Sequence, residues 1–357
     1  MNETKPNKRT SIIIVTYNGS AYLEQCLTSV QQDVGTDGEI IIVDNASIDG
    51  SADLVQSQYP DVVLVRNKVN CGFAAACNQG AQIAVGRVLV FLNQDTRVEP
   101  GWLKALVRGF DHEEAIGLTT SKILLMSQPD RIHLRGQDVH YTGLVFGRGF
   151  LSSADSMTTL EEVAAVSGAS FAVRREVWEE LGGFDETFFM YYEETDLSWR
   201  AQLAGYRCLY VPNSVVYHDY HPAQPNPSRL YYSARNRYIM LLKNWRWTTL
   251  LLLSPGLLLA ELIEWGLALA HGKRGLQAKV RANLWVLTHL RDVGRLHART
   301  HAKRKVSDAA ILKERTCRLR PRTVTGGPFG RIAVAACVAL FLFHHWVTRL
   351  LCQVFGL

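Results

Sequence analysis

Val88-Leu89-Val90-Phe91-Leu92-Asn93-Gln94-Asp95-Thr96 is the stretch that decides the fold. Five apolar residues in a row describe a strand buried on both faces. A carboxylate just past the C-terminal end of such a strand stands where open α/β sheets bind their ligands. Hard divalent cations take carboxylate oxygens and often bridge to substrate phosphates, so Asp95 is a candidate anchor for a metal-bound phosphate ester. The plainer reading is a solvated acid opening the turn before Glu99-Pro100.

Working outward, the same pattern repeats. Strands are predicted over Ser11–Thr16, Glu39–Val43 (ending at Asp44), Val62–Arg66 and Arg87–Leu92, with helices between them over Ser20–Gln32, Gly50–Gln58 and Phe73–Val85. This alternation predicts an α/β fold with a mainly parallel, right-handed crossover sheet and helices on both faces. Beyond Asp95 the pattern loosens. Ile116–Met126 is predicted as a strand, Arg131–Phe150 as Gly-rich and irregular, and Val163–Val166 as a strand running into Ser167-Gly168-Ala169-Ser170. A helix over Arg174–Leu181 should stop at Gly182-Gly183, and another over Glu193–Ala204 at Gly205. A strand over Tyr206–Val211 should end at Pro212, and the three prolines of His221–Ser228 should close a first domain, 1–228. Residues 229–357 are expected to form a basic and apolar helical region.

The 357 residues are 47% hydrophobic, enough for a sizeable core. Charge is divided unevenly: residues 1–270 carry a net −8 and residues 271–357 a net +14. Basic tails meet nucleic acid or anionic lipid. The neighbouring apolar segments favour lipid, and no zinc, RRM or homeodomain signature supports nucleic acid. Seven scattered cysteines without a CxxC pair point to free thiols in a reducing compartment. Met1–Thr10 is polar and charged, so no signal peptide is expected and the front domain should be cytosolic.

Four short stretches follow strands and should share one sheet edge: Val15-Thr16-Tyr17-Asn18, Asp44-Asn45-Ala46-Ser47, Asn70-Cys71-Gly72-Phe73 with Asn78 in the next helix, and Asn93-Gln94-Asp95. Asp44 can accept the N–H of a pyrimidine, and Asn45 and Ser47 can bond a base or ribose. Each alone also reads as a cap or turn residue. No GxGxxG or GxxxxGK[ST] motif occurs, which disfavours a dinucleotide or P-loop site. The second cluster is Tyr191-Tyr192-Glu193-Glu194-Thr195-Asp196, preceded by Phe184, Phe188 and Phe189. Acids opening a helix suit its dipole, but a carboxylate between aromatic walls is also desolvated and suited to general-base work. His218 follows a strand and is a plausible metal ligand.

Together these stretches closely resemble the family 2 glycosyltransferases of GT-A fold, and most of all the rhamnosyltransferase-like branch that includes galactofuranosyltransferases. SIIIVTYNGSAYLEQCLTSV, IIVDNASIDGS, NCGFAAACNQG, VLVFLNQDT, SGASFAVRREVWEELGGFDETFFMYYEETDLSWRAQLAGYR and VVYH run in family order over residues 11–218. The resemblance is specific for the family and silent on the sugar. It implies that Thr16, Tyr17, Asp44, Asn45, Asn70, Gly72 and Asn78 surround the base and ribose. It makes Asn93-Gln94-Asp95 a variant DxD with Asp95 on Mg or Mn, His218 a second metal ligand, and Glu194 the catalytic base, assisted by Glu193 and Asp196. Asn93 departs from the first acid of DxD, and Glu194 stands where Asp is usual.

The expected reaction is an inverting, metal-dependent transfer from a nucleoside-diphosphate sugar with a pyrimidine base to a hydroxyl of a lipid-linked cell-surface glycan. Transfer to polyprenyl phosphate, or a catalytically inactive nucleotide-binding membrane scaffold, are the alternatives, and a homo-oligomer stays open. Thr248–Ala270 is long enough to span a bilayer, but Glu261 and Glu264 would be costly there. One crossing would also put the basic stretch on the wrong side. The expectation is therefore a peripheral or monotopic protein on the cytoplasmic membrane face, held by anionic lipid, with Ile332–Leu357 as a second interfacial helix.

Overall fold

The computed structural model describes residues 9–221, 226–319 and 328–357. Its strands are β1 (Thr10–Thr16), β2 (Gly38–Asp44), β3 (Val63–Arg66), β4 (Val88–Asn93), β5 (Thr96–Val98), β6 (Ile116–Leu125), β7 (Gln128–Leu134), β8 (Gln137–Val139), β9 (Val145–Gly147), β10 (Glu161–Glu162), β11 (Ser170–Arg174) and β12 (Arg207–His218). Helices α1 (Ser20–Val34), α2 (Ser51–Gln58), α3 (Phe73–Ile83), α4 (Trp102–Arg108), α5 (Arg175–Leu181) and α6 (Glu193–Leu203) alternate with them. α7 (Pro227–Asn244), α8 (Trp247–Ala270), α9 (Gly272–Thr288), α10 (Leu290–Ala302), α11 (Asp308–Lys313) and α12 (Pro328–Val354) follow. The chain divides into two compact units. One is built on residues up to Gln137, Gly147–Ala201 and the strand from Tyr206; the other on Asp138–Phe146, Gln202–Gly205 and the C-terminal helices.

The first unit is organised by one sheet of order β10-β12-β6-β11-β4-β1-β2-β3. β1, β2, β3 and β4 run parallel, with Thr16 opposite Asp44 and Val15 opposite Asn93, so their C-terminal ends share one edge. β1 continues to β2 on one side and has β4 on the other, which is the strand reversal where α/β sheets open a crevice. Leu89, Val90, Phe91 and Leu92 are buried, as a two-sided strand requires. Phe91 stacks on Phe171 at 4.9 Å and on Trp178 at 4.7 Å.

Three predicted elements differ. The strand expected over Val163–Val166 is displaced to Ser170–Arg174, antiparallel to both β4 and β6. Val163, Ala165 and Val166 are apolar because they are buried. Their backbone bonds are divided among several partners: Val163 N donates to Cys208 O, Ala165 and Gln137 exchange bonds across a single bridge, and Val166 N and Ser167 N donate to the hydroxyls of Ser198 and Thr120. Part of the supposedly irregular Arg131–Phe150 forms β7, paired with β6. The strand expected to stop at Pro212 continues to His218, because a register shift between Val211 and Val215 takes the proline out of the ladder. The predicted His221–Ser228 break falls partly on residues 222–225, outside the described residues.

In the second unit, Glu261 and Glu264 on α8 turn inward. Arg237 Nη2 donates to both, at 2.9 and 3.0 Å, and Lys279 pairs with both. Their charges are met within the helices, which lowers the cost on which the sequence objection to burial in lipid rested. Elsewhere on its surface α8 exposes Leu251, Leu258, Leu262 and Leu269. Trp247–Ala270 and Val334–Val354 are long and apolar enough to cross a membrane by length and composition.

The aromatic stack around Phe91 should dominate the first unit's stability. Phe91→Ala is expected to cost about 3–5 kcal/mol by the usual cavity penalty. Urea denaturation of parent and variant followed by circular dichroism checks this, and a loss under about 1 kcal/mol would show that the stack collapses around the deletion.

Candidate active site

The sheet edge is tied together by side-chain amides. Gln94 Oε1 accepts from Thr16 Oγ1 at 2.6 Å and from Tyr17 N at 3.1 Å, fastening the end of β1 to the turn after β4. Gly19 belongs to this clamp, since a Cβ there would lie 2.0 Å from the same oxygen. Tyr17 remains 49% exposed, free to lie along a ligand. Asp44 is buried, and its Oδ2 accepts from Ser47 N at 3.3 Å. Its Oδ1 has no hydrogen-bond partner among the described residues. A buried carboxylate oxygen left in that state calls for an external donor.

Asn45, Asn70 and Asn78 are bonded to protein groups. Asn45 Nδ2 donates to Asn70 Oδ1 and to Gly72 O, while its Oδ1 accepts from Cys71 N and Asn67 Nδ2. Asn70 Oδ1 also takes Gly72 N. Both amides are thus engaged in shaping the loop. Asn78 bonds both backbone groups of Phe184 and the Glu186 carboxylate, stapling α3 to the turn after α5. Gly72, at φ +89°, has its open side filled by Phe189, whose ring atom would sit 2.5 Å from a Cβ. The close approach there is to protein.

Asp95 and His218 meet because β5 pairs antiparallel with the end of β12, setting Thr96 opposite His218. His218 Nε2 lies 3.2 Å from Asp95 Oδ1. On the far side of the ring, His218 Nδ1 is 3.0 Å from His133 Nδ1, and Tyr220 stacks on His133 at 4.2 Å. His133 was missed by sequence reasoning because it lies in the stretch read as irregular. The alternation Ile132-His133-Leu134 was its only signal. No group of three or more potential ligands occurs among the described residues. Two ligands suit a hard ion that keeps waters and completes its shell with substrate phosphates.

The acidic helix separates its three carboxylates. Glu194, partly buried, has Oε1 fixed at 2.8 Å by Gln137 Nε2, and Gln137 Oε1 in turn accepts from Thr195. Burial raises the Glu194 pKa, while the Gln137 bond opposes the rise. Glu193 lies deeper; burial first, and then the neighbouring Glu194 charge, hold it well above the usual carboxylate range. Asp196 is elsewhere. It is fully buried and paired with Arg200 at 2.7 Å, while Arg200 also holds the carbonyls of Leu181 and Gly183. Asp196 therefore fixes the helix to the preceding turn rather than facing open space. The backbone leading into Glu193 is contorted, with Phe189, Tyr191 and Tyr192 all at φ between 62° and 75°.

Gly168 links the two clusters, with the position of its missing Cβ 3.4 Å from Glu194 Cδ. The next residue, Ala169, accepts Asn93 N at the end of β4. A carboxylate of raised pKa thus stands one short loop from a strand end whose next turn carries an Asp–His pair.

Residues 11–182 match the model of Glycosyl transferase family 2. That segment belongs to the family. Among its relatives, N-acetylglucosaminyl-diphospho-decaprenol L-rhamnosyltransferase of Mycobacterium tuberculosis is 28% identical over 257 residues, covering 64% of this chain and 83% of that protein. Poly-beta-1,6-N-acetyl-D-glucosamine synthase of Staphylococcus aureus is 26% identical over 209 residues, 58% and 49% of the two chains. In fold, this glycosyltransferase is similar to S. aureus TarS 1-349 in complex with UDP-GlcNAc, with TM-score 0.55, 16% identity and 96% and 91% coverage. It is also similar to GalNAc-T7 with UDP, GalNAc and Mn2+, with TM-score 0.51, 22% identity and 66% and 48% coverage.

Asp196→Ala should strand a buried guanidinium and cost about 3–5 kcal/mol. Arg200→Met should also destabilise, because the carbonyls of Leu181 and Gly183 then lose their donor. Chemical denaturation measures both, and a single variant as stable as the parent would refute the clamp.

Proposed function

We propose that the chain transfers a glycosyl group from a pyrimidine nucleoside-diphosphate sugar, a UDP-sugar or one like dTDP-rhamnose, to a hydroxyl of a lipid-linked cell-surface glycan. The transfer is a single inverting displacement. The observation that carries this reading is Glu194, a carboxylate of raised pKa with one oxygen held by Gln137. A base tuned toward neutrality is what removal of a hydroxyl proton at physiological pH requires. Glu194 takes the acceptor proton while the acceptor oxygen attacks the anomeric carbon, and the bond to the diphosphate oxygen breaks on the opposite face. Asp95 and His218 would hold a divalent ion, magnesium or manganese, which would supply positive charge against the departing diphosphate. The unpartnered Asp44 Oδ1 supports a base that offers an N–H, and UDP in the structural neighbours agrees with a pyrimidine. The mycobacterial relative's name supports an acceptor on a polyprenyl diphosphate.

Location at the cytoplasmic face of a membrane, peripheral or monotopic, is supported by the exposed leucines of α8 beside a strongly basic C-terminal third. Arg and Lys would meet anionic headgroups while leucine faces meet acyl chains.

Glu194→Gln should lower kcat about 10²–10⁴-fold while donor affinity is kept, as loss of a general base predicts. Nucleotide release during acceptor-dependent turnover is the assay, and full activity would remove Glu194 from the role. Gln137→Leu gives a signed test. The Gln137 bond stabilises the Glu194 carboxylate, so its loss raises that pKa further. A base works only when deprotonated, hence the acid limb of the pH–rate profile should move to higher pH. A limb unmoved, or moved down, contradicts the assignment. Asp95→Ala should abolish stimulation by Mn2+. Calorimetry with the ion present should find UDP or dTDP bound and GDP bound far more weakly, and equal affinity for GDP would defeat the pyrimidine reading.

A further inference from the structure

In the C-terminal unit an open cavity of about 360 Å3 is lined by Arg246, Trp247, Thr248, His297, His301 and Arg304. Its composition is unusual for a surface hollow. Two guanidinium groups and two imidazoles converge at the first turn of α8, a helix of 24 residues. That turn carries no acidic residue and no side-chain cap of its own; the Asp308 carboxylate beside it accepts Arg246 N at 3.2 Å and the Thr249 hydroxyl, and the N–H groups that follow have no intrahelical acceptor.

The basic groups are held in place with donor capacity to spare. The Arg304 side chain is 4% exposed and ion-paired with Asp308 through Nη2, and its Nε donates to Val306 O. Its Nη1 is buried and has no partner among the described residues, and the same is true of His301 Nε2. Trp247, His297 and His301 form a continuous stack, with ring centres 4.4 and 4.0 Å apart. His297 Nδ1 lies 2.8 Å from Leu242 O, which turns its Nε2 edge away from that carbonyl. Burial and the neighbouring cations lower the His301 pKa to about 4. Positive charge is therefore crowded here beyond what Asp308 offsets, and an anion would relieve it.

We infer that this cavity is a binding site for a terminal phosphate or diphosphate group, carried by a membrane lipid. The helix N-terminus supplies backbone donors, Arg246 and Arg304 supply charged donors, and the imidazoles close the rim. A lipid is the source favoured by position. Trp247 is half-exposed at the cavity, and from it α8 runs on with Leu251, Leu258 and Leu262 open to their surroundings. A phosphate seated at the first turn would thus have its hydrocarbon alongside an apolar helix face. The inference rests on the membrane-surface reading above, and the two can fail separately.

The test uses the full chain and vesicles of phosphatidylcholine with either phosphatidic acid, which carries a terminal phosphate, or phosphatidylglycerol at matched surface charge. The parent should bind the phosphatidic acid vesicles about tenfold more tightly, the scale of one or two charged hydrogen bonds. Arg246→Gln should erase that preference, Arg246→Lys should restore part of it, and His297→Gln should weaken it. All three should keep donor-dependent nucleotide release, which reports an intact enzyme. Equal binding to the two vesicles, or a preference that survives Arg246→Gln, overturns the site and leaves only general surface charge. If the parent binds neither vesicle, the membrane reading falls. Calorimetry with inorganic pyrophosphate, in the absence of divalent ions, then decides the cavity: a binding heat lost in Arg246→Gln upholds the phosphate site with a soluble ligand, and no such difference ends it.

Discussion

The pairing of β5 with the end of β12 is the constraint on which the chemistry depends. Val98, Arg97 and Thr96 sit opposite Val216, Tyr217 and His218, and that short ladder brings an acid from the middle of the domain against a histidine from its end. The ladder holds because β12 passes its proline through a bulge rather than stopping. It is reinforced where Tyr217 bonds Glu99 and Arg97 lies 4.1 Å over the Tyr217 ring. Loss of this register would move Asp95 and His218 apart.

A second theme is the use of buried amides and ions as fasteners. Gln94, Asn45, Asn70 and Asn78 each join loops that are distant in sequence, and Asp196 with Arg200 does the same for the acidic helix. Such groups are costly when unsatisfied, so a fully bonded set selects one loop geometry over its neighbours. Asp44 Oδ1 and Glu193 Oε2 are the exceptions near the site, buried without a partner among the described residues. The crevice is thus rigid in its walls and unsatisfied at chosen points.

Much of this was legible in the sequence. Two-sided apolar strands at Ile12–Val15, Ile40–Val43 and Leu89–Leu92 gave themselves away by local pattern, and their ends located Thr16, Asp44 and Asp95. What escaped depends on partners far along the chain. β11 is a central strand of five residues, Ser170–Arg174, preceded by small polar residues that look like a loop. Gln137 and His133 are ordinary residues until tertiary structure sets them beside Glu194 and His218. Asparagines in loops do not announce whether they face ligand or protein. The same limit applies to Asp196, whose spacing from Glu193 and Glu194 resembles a catalytic cluster but whose partner is Arg200.

The left-handed backbone at Phe189, Tyr191 and Tyr192 bears on how this loop can change over time. Each such residue carries strain of about 1–3 kcal/mol that glycine would not. Glycine there would relax the backbone, but it would raise the entropy of the unfolded chain and lose the rings that fill the space beside Gly72 and precede the acids. Residue choice in this segment is therefore a compromise between a relaxed chain and a placed aromatic wall.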